Sequence, residues 1–116
     1  MWVKVKIAEG LAIGSVLSYS EVSSSWVLAQ NLNTPVGVLE QITQDVITAE
    51  VFGVVRFAGT AYALADRDIP NEGGEMTVNN GKVYVDNTAD HCGIIAPLPH
   101  GQPARVAGDL VMVYIR

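Results

Sequence analysis

"EMTVNNGKVYVDNTADHCGII", residues 75–95, decides how this chain is read. Its first half holds Asn80-Gly81 between two alternating apolar runs. That is the strongest short-range hairpin signal, because a type I′ turn needs φ > 0 at both central residues. Its second half, Asp90-His91-Cys92, offers the letters of a metal or catalytic cluster instead. Geometry weighs against the cluster. With strands at 82–86 and 92–96, Asp86, Asp90, His91 and Cys92 fall in or beside the link between them. Adjacent residues on extended backbone point to opposite faces, so His91 and Cys92 diverge. Zinc sites usually draw on two ligand pairs, and no second pair exists. Cys92 with His100 lacks an obvious orienting carboxylate for a nucleophilic pair.

Working outward, nearly every apolar segment is short, β-branched and bounded by Gly, Pro, Asn or Ser. "WVKVKIA" (2–8) alternates, with Trp2, Lys4 and Lys6 on one face and Val3, Val5 and Ile7 on the other. "SVLSY" (15–19) and "SWVLAQ" (25–30) flank a serine-rich turn. "VGVLEQI" (36–42), "ITAEVFGVVRFAG" (47–59), "KVYVD" (82–86), "CGIIAP" (92–97) and "DLVMVYIR" (109–116) complete the strand set. "TAYALADRD" (60–68) is the one segment that reads as a turn or two of helix. "IPNEGG" (69–74) reads as a connection between halves, and "PLPHGQPARVAGD" (97–109) as an extended loop. The fold expected is all-β, a small barrel or sandwich with little helix.

The two halves resemble each other. With Gly37 set on Gly93, Val27 falls on Val83, Asn31 on Asn87, Val36 on Cys92 and Val38-Leu39 on Ile94-Ile95. The preceding strands pair if the serine loop is four residues longer. One domain, 1–116, with a repeat over 8–59 and 73–116 is therefore expected. Two such units, neither able to bury its own face, would pack together.

Composition narrows the function classes. The net charge is −5, with 16% charged and 49% hydrophobic residues. Soluble domains carry about 25% charged residues, so some of this apolar content is expected either to stay exposed or to be buried against a partner, the second being a hint of oligomerisation or assembly. Seven basic residues, scattered rather than striped, argue against nucleic acid. No apolar run reaches the ~20 residues of a membrane span, and the N-terminal alternation does not read as a signal peptide. The single cysteine gives no intrachain disulfide and points to an intracellular protein, or a particle assembled in one. "GLAIG" (10–14) and "IPNEGGE" do not open helices after strands, so phosphate cradling is not expected. "DRD" (66–68) reads as a local ion pair. Asp86, Asp90 and Asp109 lack the dense spacing of a calcium loop. No cofactor, metal or catalytic residue is assigned, and a non-enzymatic role is expected. Trp26 is expected in the core, whereas Trp2 suits either the core or an anchor in a neighbouring subunit.

The segments Gly14 to Leu17, Trp26 to Leu28, Val36 to Val38, Val51 to Val55, Gly81 to Val83 and Gly93 to Ile95 form a recurring pattern of strand entry, hairpin and hydrophobic-Gly-hydrophobic. In this the chain resembles the capsid cement, or head decoration, proteins of tailed bacteriophages, over residues 8 to 116. Loop 97–107 departs from the pattern. The resemblance implies a small β-fold, often trimeric, on the capsid's outer surface. There it would bridge copies of the major capsid protein, after assembly in the host cytoplasm. Under it, Trp2, Val3 and Lys4 of the first strand and Pro97, Leu98, Pro99 and His100 of the loop are the expected contacts with shell or neighbour. The alternatives are a β-rich module of a tail fibre, spike or connector, and a small cellular ligand-binding barrel.

Overall fold

The computed structural model describes residues 2–30, 36–88 and 92–116, with the backbone alone at Trp2. The described residues form ten strands and no helix. The first five are β1 (Trp2–Lys6), β2 (Val16–Ser20), β3 (Ser25–Leu28), β4 (Val36–Gln44) and β5 (Val51–Arg56), and they make one sheet in the order β1-β5-β4-β2-β3. The second five are β6 (Gly59–Leu64), β7 (Gly74–Asn79), β8 (Lys82–Val85), β9 (Gly93–Ile95) and β10 (Leu110–Ile115), in the order β6-β10-β9-β7-β8. The second order is the first shifted by five strands. All pairings within both sheets are antiparallel.

Register carries the correspondence to single residues. Val55 pairs with Val3 and Leu39 as Val113 pairs with Ala61 and Ile95. Leu17 faces Leu28 as Met76 faces Val85. Each sheet also curls until its edges meet, through the parallel bridges Ile7↔Trp26 and Ala65↔Val83. The same amide closes each, Ala8 N donating to Trp26 O at 2.9 Å and Asp66 N to Val83 O at 2.8 Å. The molecule is thus two small curled sheets in tandem, an N-lobe and a C-lobe. The equivalence of Gly37 and Gly93 fits this register, but Val27 corresponds to Tyr84 rather than Val83. Because β2 and β7 run on to Ser20 and Asn79, the serine loop (21–24) exceeds the Asn80-Gly81 turn by two residues, not four. Asn31 lies outside the described residues.

The segment 60–68 is strand through Leu64, not helix. Ala61, Ala63 and Ala65 point inward and are buried, while Thr60 and Tyr62 are exposed. Their N-lobe counterparts are Val3, Val5 and Ile7. Alanine replaces the larger residues because the C-lobe core is filled partly from outside. Val16, Ala29, Val36 and Val38, on the outer face of the N-lobe sheet, belong to the same buried cluster as Met76, Ile95 and Val113. The N-lobe interior is a separate cluster of Ile7, Leu17, Leu39 and Val55, with Trp26 and Phe57 packed against it. Fully burying a Leu, Ile, Val or Met side chain contributes ~1.5–3 kcal/mol, so both cores matter to a chain of this size.

Two glycines hold this arrangement. At Gly93 an added Cβ would lie 2.0 Å from the Tyr114 carbonyl oxygen, so β9 approaches β10 only without a side chain. Asn80 and Gly81 have φ of 48° and 79°, as the turn reading requires. The same turn ties the lobes. Val16 N donates to Gly81 O and Gly81 N to Ala29 O, both at 2.8 Å, and Gln30 Nε2 donates to Asn80 Oδ1 at 2.8 Å. Leu64 N adds a bond to Gly14 O at 2.9 Å.

Candidate functional site

The chemical candidates that fall within the described residues make the following contacts. Cys92 is half-buried against the C-lobe core, with Sγ 3.9 Å from the Met76 carbonyl oxygen. Burial pushes its thiol up to about 11, the reverse of the lowered value that activates a nucleophilic cysteine. Asp90 and His91 lie outside the described residues. Arg67 donates to Asp66 Oδ2 through Nε (3.0 Å) and Nη2 (2.8 Å) and stacks over the Tyr84 ring at 3.8 Å, making "DRD" a local ion pair on an aromatic face. Asp86 accepts from the Thr88 amide and Asp109 from the Val106 amide, both at 2.9 Å. Among the described residues no group of three His, Cys, Asp or Glu is placed to hold a metal ion. Trp26 packs edge-on between Tyr19 (5.8 Å) and Phe57 (4.9 Å) at the N-lobe core.

The expected contact residues fall on different lobes. Trp2, Val3 and Lys4 lie on β1, an edge strand of the N-lobe, paired with Arg56, Val55 and Val54. Lys4 Nζ sits 5.5 Å from the centre of the Phe52 ring. Pro97, Leu98 and Pro99 lie in the C-lobe and wall a groove of about 380 Å³ with Tyr62, Leu110 and Met112. His100 follows them on an exposed turn. The proline-rich loop is well anchored. Leu98 N donates to Asn71 O (2.7 Å), while Arg105 donates to Ala96 O (2.5 Å) and Pro70 O (2.8 Å), its buried Nε having no hydrogen-bond partner among the described residues.

Two surfaces escape a reading of the sequence by strands alone. The first is the outer face of the C-lobe sheet. Tyr62, Leu110 and Tyr114 are 59%, 53% and 52% exposed there, and Ile94 and Met112 extend the patch. Register makes the N-lobe counterparts of Tyr62, Leu64 and Tyr114 the residues Lys4, Lys6 and Arg56. The same scaffold position is cationic on one lobe and apolar on the other. Only the lobe-to-lobe comparison reveals this. The second surface is the tip of the β4–β5 hairpin. β4 runs nine residues where β9 runs three, so the hairpin projects from the N-lobe. At its end Val46 and Ile47 are 97% and 91% exposed. The tip is nonetheless fixed, because Asp45 Oδ1 accepts the amides of Ile47 (2.8 Å) and Thr48 (2.9 Å), and Asp45 N donates to Glu50 O (2.8 Å). Asp45 in "QDVIT" is the readable signal, an Asx turn at the break between the segments 36–42 and 47–59.

Comparison with protein families, curated proteins and solved structures finds no match to this chain.

Proposed function

We propose that this chain is a non-enzymatic structural protein of a tailed-phage virion. It seats on the outer surface of the assembled capsid and stabilises it by bridging copies of the major capsid protein. The observation that carries this reading is the apolar outer face of the C-lobe, where Tyr62 and Tyr114 stand at solvent at the register positions that Lys4 and Arg56 hold in the N-lobe, with Leu110 exposed beside them. Contiguous exposed apolar surface of this kind marks protein contacts, and aromatic residues are enriched at their centres. The reading is supported too by the resemblance of the hairpin and glycine pattern to capsid cement proteins.

The mechanism is linkage. A protein that binds only the assembled lattice stabilises that state by mass action. Self-association, as a trimer under the resemblance, multiplies weak contacts into avidity. Neither nucleic acid nor membrane is a partner in this scheme.

The test is the copy number of this chain in purified source particles, measured by quantitative mass spectrometry against the most abundant shell protein. A fixed stoichiometric fraction is expected. A handful of copies per particle would move the chain to a tail or vertex, and absence from particles would overturn the virion reading.

A further inference from the structure

Asn80 is the one asparagine of this chain that is followed by glycine. In an open chain that pair is reactive. The Gly81 nitrogen can attack the side-chain carbonyl carbon of Asn80, because glycine has no side chain to obstruct the approach. The nitrogen gives up its proton, the new N–Cγ bond forms, and the Asn80 side-chain nitrogen leaves as ammonia. Water then opens the five-membered succinimide at either carbonyl, giving aspartate or, in the larger share, isoaspartate. The step needs only water and base.

The folded molecule opposes each part of this reaction, and it does so from the other lobe. The Gly81 N–H is donated to Ala29 O at 2.8 Å, so the proton that must leave is held. Gly81 is also buried, which keeps solvent base from its nitrogen. Its carbonyl accepts the Val16 amide at 2.8 Å. Bonded on both sides, the Gly81 backbone cannot swing toward the Asn80 side chain. That side chain is held in turn, with Oδ1 accepting from Gln30 Nε2 at 2.8 Å. Leu28 Cδ2 closes over the glycine, only 2.4 Å from where a Cβ would stand. Val16, Leu28, Ala29 and Gln30 all belong to the N-lobe, whereas Asn80 and Gly81 join two strands of the C-lobe.

We infer that Asn80-Gly81 is a self-modification site gated by the contact between the lobes. While the lobes are docked, Asn80 stays an asparagine. In a chain whose lobes have parted it converts, and the conversion runs one way. Isoaspartate adds a methylene to the main-chain path of a two-residue turn whose dihedral demands leave no slack. The Gly81 amide and carbonyl then no longer meet Ala29 and Val16, so a modified chain cannot rebuild the contact. The fold thereby separates chains that dock their lobes promptly from chains that linger open. This concerns the lobe contact alone and does not rest on shell binding.

The test uses the purified chain at mildly alkaline pH, with and without guanidinium, followed by peptide mass mapping and isoaspartate quantification. Conversion at Asn80 is expected to be at least tenfold slower in the folded chain. In urea below the unfolding midpoint, its rate should rise in step with amide exchange at Val16 and Gly81, because a reaction of the open form tracks that form's population. Chains carrying isoaspartate, separated from unmodified ones, should unfold at a lower urea midpoint. Asn80→Asp keeps the normal main chain and an oxygen for Gln30, and should unfold near the parent's midpoint. Equal rates in the folded and unfolded chain overturn the gate, as does a rate indifferent to exchange at Val16 and Gly81. Isoaspartate chains as stable as the parent overturn the one-way consequence, and an Asn80 that survives guanidinium unconverted overturns the site itself. None of these results bears on copy number in particles.

Discussion

The carbonyl of Gly81 accepts the amide of Val16 at 2.8 Å, so the tightest turn of the C-lobe is bonded to the first residue of an N-lobe strand. One glycine therefore serves two structures. It completes the type I′ turn with φ of 79°, and an added Cβ would stand 2.4 Å from Leu28 Cδ2 on the neighbouring lobe.

Gly81→Ala should accordingly cost more than a turn substitution alone. A left-handed non-glycine residue costs ~1–2 kcal/mol, and displacing the Leu28 methyl adds to that, for a loss of about 2–3 kcal/mol. Urea unfolding would show a lower midpoint. An intact lobe contact predicts one transition; a split into two would mean the lobes uncouple. Asn80→Gly, which keeps the turn and loses only the Gln30 bond, is the control and should cost under about 1 kcal/mol.

The Asp45 turn gives a pH signature. Backbone hydrogen bonds from Thr48 and then Ile47 hold its carboxyl below the usual 3.8. A depressed folded-state value means the stabilisation is fully present above the unfolded value and is lost as pH falls through the folded one. The hairpin tip should therefore fray selectively as pH drops below about 4. Amide exchange or NMR shifts of Ile47 and Thr48 would report it, and Asp45→Ala should reproduce the frayed state at neutral pH. Persistence of both amides' protection in that variant would show that the strands alone fix the tip.

Cys92 carries the opposite sign. Its thiol is raised to about 11 from an ordinary 9.0, chiefly by burial. Between those values the unfolded chain sheds the proton while the folded chain retains it, so stability should decline as pH rises from 9 towards 11. At pH 8 a thiol reagent should modify the folded protein at least tenfold more slowly than the chain in guanidinium. Equal rates would mean that the β9 entry opens readily.

These features were legible to different degrees, for physical reasons. Asn80-Gly81 announced its hairpin because the turn's dihedral demands leave few residue choices. β10 announced itself through alternation, Val111, Val113 and Ile115 inward and Leu110, Met112 and Tyr114 outward. β6 stayed hidden because its inward positions are alanines, a residue depleted in strands, chosen for contact with Val16 and Val38 of the other lobe. That determinant lies more than 20 residues away in the chain. The groove was half visible, since Pro97, Leu98 and Pro99 marked the loop while Tyr62, its opposite wall, sat in the segment taken for helix. The exposed hairpin tip was concealed because Ile47 opens the segment 47–59 read as strand, whereas β5 begins only at Val51.

The difference between the two outer faces yields the most direct test of shell binding. Tyr62→Lys with Tyr114→Arg gives the C-lobe the side chains that the N-lobe bears at the same register positions, Lys4 and Arg56. The scaffold already tolerates those residues there, and exposed substitutions usually change stability by no more than about 0.5 kcal/mol each. The variant should fold normally and melt within a few degrees of the parent. If the apolar face is what meets the shell, two aromatic anchors are replaced by hydrated cations, and binding to expanded particles should fall at least tenfold in a co-sedimentation assay. Sedimentation of the variant alone, run in parallel, separates a lost shell contact from a lost self-contact. Undiminished particle binding by a well-folded variant would direct the search to β1, where Val3 and Lys4 lie on the opposite lobe.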